Sequence, residues 1–351
     1  MKQTSIFMLF FLLFASCSQR QETITPPWTV STSEGSNSQF DLSEIQQAGE
    51  LIGVTLIGPD TYYGYQGRHL GAHYLLGEQF ASELGVKLRM ETCRDTSELR
   101  ERLTAGDADI IIMALDTTNN KTPGWVVGPE KPLLEEALNN WYKPDMLAQA
   151  RLQEKQLLSR PRVQRRVYAP MLSHQVISRY DGLFRLYGRR IGWDWRLLAA
   201  QCYQESTFDP EAQSWAGAKG LMQIMPATAD HLGLPRDEIT NPEKNIEAAT
   251  RLLKELEGEL SFVHNYSERQ NLALASYNGG LQHIRDAMRL AERDGRNPQV
   301  WSDVKEYVLR LSDPKYYRDS LVQSGYMRGK ETAEYVDQIL LRYMKYKQSV
   351  R

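Results

Sequence analysis

WDWRLLAAQCYQESTFDP, residues 193–210, is a helix with a marked start and stop. Asp194 can cap the first turn, and Pro210 prevents continuation. Between them Leu197, Leu198, Gln201, Cys202 and Glu205 fall on or near one face at i, i+4 spacing. Leu197, Leu198 and Cys202 are apolar, so this face is expected to be buried, and Glu205 extends the stripe at its C-terminal end. A half-buried carboxylate at the negative end of a helix is disfavoured as an anion. It therefore holds its proton toward neutral pH, as a general acid must. A lone glutamate at a helix end is more commonly a solvated surface group, so the flanking sequence has to decide.

The stretch that follows, residues 212–229, reads AQSWAGAKGLMQIMPATA and is not explained by core packing. Gly217, Gly220 and, further on, Gly233 allow tight turns and close backbone approach to a ligand. Pro226 suits the first turn of a new helix. From residue 171 the chain reads as successive helices, over 173–189, 194–206, 225–232, 243–259, 267–276, 279–292, 300–310, 314–323 and 331–346. Strand signals are scarce there, which predicts a mostly α domain.

The N-terminal half has a different grammar. Residues 6–15, IFMLFFLLFA, are too short to span a bilayer as a mature helix but have the length of a signal-peptide core. They end in Phe14-Ala15-Ser16-Cys17, which resembles a bacterial lipobox; the resemblance implies cleavage before Cys17 and acylation of its thiol. Residues 18–43 are rich in Ser, Thr, Gln and Pro and read as a flexible tether. Residues 51–57 then form a short apolar strand, 70–84 a helix, 86–90 a strand, 96–105 a helix and 108–115 a third strand. That order predicts a parallel sheet with right-handed crossovers. A helix follows over 132–141, and residues 143–170 read as a charged connector.

The chain has 351 residues, room for two domains. Its formal net charge of −2 gives no electrostatic case for nucleic acid. No His/Cys cluster has metal-ligand spacing, so neither a metal nor a cofactor is expected. Once Cys17 is set aside, Cys93 and Cys202 remain; buried free thiols and a disulfide are both open. His231, His264 and His283 lie in helical stretches without partners and read as surface or satisfied core residues. Tyr62-Tyr63 and Tyr316-Tyr317 read as packing aromatics.

Several motifs in order carry a resemblance. Glu205-Ser206, Ser214, Gly217-Ala218-x-Gly220-Leu221-Met222-Gln223 and Pro226-x-Thr228-Ala229 come first. Asn241-Pro242-Glu243-Lys244-Asn245-Ile246, the Ala275-Ser276-Tyr277-Asn278-Gly279 stretch, residues 325–329 and residues 331–336 follow. Together, over roughly residues 175–346, they resemble the soluble lytic transglycosylase domain of the goose-type-lysozyme-like family, with Ser276 where an alanine is usual. Ahead of it, LGAHYLLGEQFASELGVKLRM and LRERLTAGDADIII resemble the first lobe of periplasmic solute-binding proteins. Most of the second lobe is missing, and no arginine follows Thr117 or Thr118 to clamp a ligand carboxylate. A scaffold or partner-binding role is expected for this region. The combination is similar to membrane-bound F-type lytic transglycosylases.

The resemblance implies a multi-domain chain, α/β plus mostly α. A lipoprotein signal peptide (1–17) and tether (18–43) precede a shortened solute-binding-like α/β domain (44–145). A connector (146–172) leads to a lysozyme-like α-helical catalytic domain (173–347). It implies Glu205 as the catalytic acid, cutting between MurNAc and GlcNAc of peptidoglycan with closure of a 1,6-anhydro ring. Ser214, Met222, Gln223, Tyr277 and Asn278 match substrate-binding positions, and Tyr335 matches a tyrosine beside the catalytic carboxylate. Glycan strands are the implied substrate. The implied setting is an outer-membrane lipoprotein facing the periplasm, held by lipid on Cys17, with a cell-wall protein as a partner of the N-terminal domain. A hydrolytic muramidase on the same fold and a non-catalytic glycan- or partner-binding lipoprotein stay open as alternatives.

Overall fold

The computed structural model describes residues 40–115, 122–159, 163–164 and 176–350. Cys17 and its lipobox lie outside the described residues. From Phe40 on the chain forms one compact unit.

The first layer is a four-stranded sheet. Helix α1 (Leu42–Ala48) is held at its start by a capping box between Asp41 and Glu44 and stopped at Gly49. Strand β1 (Glu50–Leu56) follows, then a hairpin of β2 (Tyr63–Tyr65) and β3 (Arg68–Leu70), helix α2 (Ala72–Glu83) and β4 (Lys87–Cys93). Next come α3 (Thr96–Ala105), capped by Asp95 and ended by Gly106, then β5 (Ile110–Ile111), β6 (Val126–Val127) and α4 (Pro132–Trp141). The sheet order is β4-β1-β5-β6. β1 pairs in parallel with both β4 and β5. The three strands expected from sequence are parallel as expected; β6, which was not expected, adds an antiparallel edge beside β5. One face of the sheet buries Leu51, Ile110 and Ile112 under Leu76 and Phe80 of α2 and Leu134 and Leu138 of α4. The other buries Val54 and Ile111 under Leu99 and Leu103 of α3.

Helix α1, which overlaps the end of the expected tether, the short strand β6 and two short strands further on, Val163–Gln164 and Gln213–Ser214, were not expected, and two further unexpected features bear on the site. The first is the β2–β3 hairpin, with Tyr63 opposite Leu70 and Tyr65 opposite Arg68. Its two-residue turn, Gln66-Gly67, has φ of 47° and 74°, as a tight hairpin turn of this hand requires. The second is α5 (Met146–Ser159), in place of a connector. It packs on α2 and buries only Ala150 and Glu154, so its sequence shows almost no apolar stripe. Its inward group is specific: the Tyr63 hydroxyl donates to Glu154 at 2.8 Å. Burial pushes the Glu154 carboxyl above its usual range, and the Tyr63 bond opposes this. Tyr63, Leu70 and Leu75 also pack with Tyr317 and Tyr326, so the hairpin is wedged between the sheet layer and the helices.

Backbone strands β7 (Val163–Gln164) and β8 (Gln213–Ser214) pair antiparallel. The rest is helical: α6 (Asp181–Ile191), α7 (Trp195–Ser206), α8 (Pro226–His231), α9 (Pro242–Glu259), α10 (Tyr266–Gly279), α11 (Leu281–Arg293), α12 (Trp301–Arg310), α13 (Pro314–Tyr317) and α14 (Gly329–Ser349). The helix expected from 173 begins at Asp181, whose carboxylate instead accepts the Ile177 and Ser178 amides in the preceding turn. The helix expected over 314–323 is a single turn. α7 lies against α6 and α14, with Leu197, Leu198, Ala199 and Cys202 in one core with Phe184, Tyr335 and Val336. Cys93 and Cys202 are both free and buried.

Candidate active site

Helix α7 ends at a strained corner. Thr207 and Phe208 have φ of 53° and 62°, a left-handed pair that costs free energy in residues with a Cβ. Phe208 offsets this by burying its ring against Phe184 and Tyr203. Just before this corner Glu205, on the buried face of α7, lies inward with 1% of its surface exposed. The Tyr335 hydroxyl, from α14, donates to Glu205 Oε1 at 2.6 Å. One turn earlier on α7, Gln201 Nε2 donates to the Tyr335 hydroxyl at 3.1 Å. Three buried polar groups thus form a chain from Gln201 through Tyr335 to the carboxylate. The neighbouring Cys202 thiol is pushed up by burial, with the Glu205 charge acting in the same direction.

The Gly-rich loop after α7 is pinned from below by Asn245 on α9. Asn245 Oδ1 accepts the Met222 amide at 2.7 Å, and its Nδ2 donates to the Lys219 and Ile239 carbonyls. Gly220 makes this possible: φ is 81°, and a Cβ there would stand 2.4 Å from Asn245 Nδ2. Gln223, itself at φ 50°, donates through Nε2 to the Ala212 and Gly220 carbonyls. Its buried Oε1 has no partner among the described residues.

These groups border a cleft of about 490 Å³. Glu205, Ser214, Ala218, Gln223 and Met225 form one side; Tyr277, Asn278 and His283 come from the α10–α11 corner. The third wall is the hairpin, Gly64 to His69. Of the residues singled out from sequence, Glu205, Ser214, Gln223, Tyr277 and Asn278 border the cleft. Tyr335 is buried behind Glu205. Met222 is corrected: its side chain lies fully in the helical core, and only its backbone serves the loop, accepting the Tyr277 hydroxyl at 2.8 Å. Ser214 Oγ accepts the Ala218 amide, and Asn278 Oδ1 accepts the Thr332 hydroxyl. His283 is pushed down by burial, so it is neutral near pH 7, with Asp286 opposing.

Gln201, Asn245 and the hairpin are the site residues not assigned a role from sequence. For Gln201 the i, i+4 spacing to Glu205 was a usable signal. For Asn245 the signal was a polar residue inside an otherwise amphipathic helix. The hairpin gave none.

Among the described residues bordering the cleft, Glu205 is the sole carboxylate. Glu331 lines an adjoining recess and is engaged by Tyr65 and Arg328. Asp209 lies outside the cleft lining and accepts the Glu211 amide. Such a site can donate and retrieve one proton through one group.

Residues 182–300 match the Transglycosylase SLT domain. That span holds α7, the loop, Asn245 and the Tyr277-Asn278 corner, though not Tyr335. Among curated relatives, a membrane-bound lytic murein transglycosylase F of Maricaulis maris is 40% identical over 163 residues, covering 46% of this chain and 35% of that protein. The protein of that name from Desulfosudis oleivorans is 38% identical over 176 residues, covering 50% of this chain and 38% of that one. The chain thus spans little more than a third of the length of these relatives. Among solved structures it is similar to the 70-kDa soluble lytic transglycosylase of Escherichia coli, at 22% identity and a TM-score of 0.36, covering 67% of this chain and 32% of that chain.

Proposed function

We propose that this chain is a peptidoglycan lytic transglycosylase with Glu205 as its single acid and base. The observation that carries the reading is the lone buried carboxylate in a sugar-sized cleft within an SLT-type segment. Glycosidases that rely on two carboxylates set them about 5–9.5 Å apart across the scissile bond, and the cleft lining offers no such pair.

In this reading Glu205 protonates the oxygen linking MurNAc to GlcNAc, and the C1–O bond breaks. The MurNAc acetamido carbonyl supports the positive charge developing at C1. Glu205, now ionised, removes the proton from the C6 hydroxyl as O6 bonds to C1. The 1,6-anhydro ring closes, the carboxyl is protonated again, and no water is consumed. Tyr335 holds the carboxylate in place and steadies its ionised state between the two steps. Gln223, Ser214, Tyr277 and Asn278 line the glycan path. The α/β layer derives from a shortened solute-binding lobe, separate in origin from the helical region. Cys17 carries the lipid that anchors the protein in the outer membrane, facing the periplasm. A cell-wall protein partner of the α/β region belongs to this reading too.

Protein lacking residues 1–17, incubated with isolated peptidoglycan, is expected to release muropeptides ending in 1,6-anhydroMurNAc, lighter by one water than the reducing form. Products ending only in reducing MurNAc make the protein a muramidase, and no release leaves a binding lipoprotein. Tyr335→Phe is expected to lower the cleavage rate about tenfold to a hundredfold, since it removes one charge-assisted hydrogen bond of about 1.5–3 kcal/mol. A rate within twofold of the parent removes Tyr335 from the machinery.

A further inference from the structure

We propose that the β2–β3 hairpin of the α/β layer is part of the substrate site, and that Arg68 on it binds a carboxylate carried by the peptide side chains of the glycan. The proposal rests on the peptidoglycan reading above.

The hairpin is fitted to the cleft, not merely near it. The Tyr65 hydroxyl donates to Glu331 on α14, and the Tyr65 ring stacks with Trp215 at 5.9 Å and 23°. Arg68 Nε donates to the Ala216 carbonyl at 3.3 Å. The turn residue Gly67 lies so close to Met225 that a Cβ would come within 2.5 Å of its terminal methyl. At the base, Tyr63 is fixed by Glu154. A two-residue turn held at both ends is a rigid wall.

Arg68 is the informative side chain on that wall. Its guanidinium lies 5.7 Å from the centre of the Trp215 ring, and Nε is used by Ala216. No carboxylate pairs with it among the described residues, and its two terminal amino groups remain available. It is the one permanent cation among the described residues bordering the cleft. Stacking and the Nε bond orient the planar group, leaving its outer edge to receive a carboxylate through paired hydrogen bonds. His69 is engaged differently, stacked on Tyr62 at 4.8 Å. In cross-linked or stem-bearing glycan, the lactyl carboxyl is consumed as an amide and the free carboxylates sit on the peptide. Arg68 therefore reads the peptide-bearing side of the strand, while Glu205 works on the sugars.

The test compares untreated sacculi with sacculi whose peptide carboxylates have been converted to amides by a carbodiimide and ammonia. Arg68→Gln is expected to raise the half-saturating concentration of untreated sacculi about tenfold, a factor ordinary for a hydrogen bond between charged groups, with the maximal rate kept. On amidated sacculi the parent and Arg68→Gln should coincide, both at the weakened level. Arg68→Lys, which keeps the charge without the fork, should fall between, and it stands in if Arg68→Gln fails to fold. Equal performance of parent and variant on untreated sacculi overturns the proposal. So does a deficit that persists on amidated sacculi, which would place Arg68 in packing against Trp215. Co-sedimentation with sacculi in a Glu205→Gln background reads the same contact without cleavage. Loss of binding with Arg68→Gln there supports the proposal even if the parent protein cleaves nothing; unchanged binding overturns it.

Discussion

Glu205→Gln is expected to abolish release of anhydro-muropeptides and leave the fold intact. The substitution keeps the shape of the side chain and an oxygen to accept the Tyr335 hydroxyl, now 2.6 Å away. It removes the only carboxylate among the described residues on the cleft lining, the group assigned to give a proton to the glycosidic oxygen and retrieve one from O6. General acid–base participation commonly contributes 10²–10⁴-fold. Both half-steps pass through this one group, so a fall of about 10³-fold or more is expected, measured as initial rates on isolated peptidoglycan. The melting temperature should stay level or rise, because a buried carboxylate is a cost that the site carries for function. Activity within tenfold of the parent would remove the chemistry from Glu205. A collapse in melting temperature would show instead that the carboxylate is structural.

How much of this was legible in the sequence follows from how local each feature is. Helices α3 and α4 occupy the stretches expected for them, because the residues that bound them, Asp95, Gly106 and Pro132, act within one turn of the helix ends. The inward position of Glu205 was legible too, since Leu198 and Cys202 set the buried face of α7. The hairpin was not. Its strands are three residues long, too short for alternation to register, and what fixes it is Glu154, Trp215 and Glu331, from about 90 to 270 residues along the chain. Helix α5 failed for a related reason: it buries one alanine and one glutamate, so its inward face looks like a charged linker. The family resemblance assigns Met222 to the groove, with core packing as the alternative, and it is core.

Gly220→Ala carries the second large effect. A Cβ at position 220 meets Asn245 Nδ2 at 2.4 Å and the Ile239 carbonyl at 2.8 Å, in a backbone whose φ of 81° is already costly for alanine. Neither neighbour can step aside. Asn245 is held by three hydrogen bonds, to Met222, Lys219 and Ile239, and Ile239 contributes backbone. Left-handed strain of about 1–3 kcal/mol adds to the loss of part of that network, at about 1 kcal/mol or more per bond. A total above about 3 kcal/mol is expected, seen as a fall of roughly 10 °C in melting temperature for a domain of this size. Activity should fall further than stability accounts for, because Gln223 takes its orientation from the Gly220 carbonyl, and small displacements in a site can cost about a hundredfold. Gly217→Ala separates the two causes. Its φ is 98°, yet a Cβ there meets nothing within 4 Å, so it should register the backbone strain alone and keep most of the activity. Equal losses at 217 and 220 would mean that left-handed geometry matters and the Asn245 clamp does not. If the clamp matters, Gly220→Ala combined with Asn245→Ala should cost less than the sum of the single changes, since removing the amide opens the space that the new methyl needs.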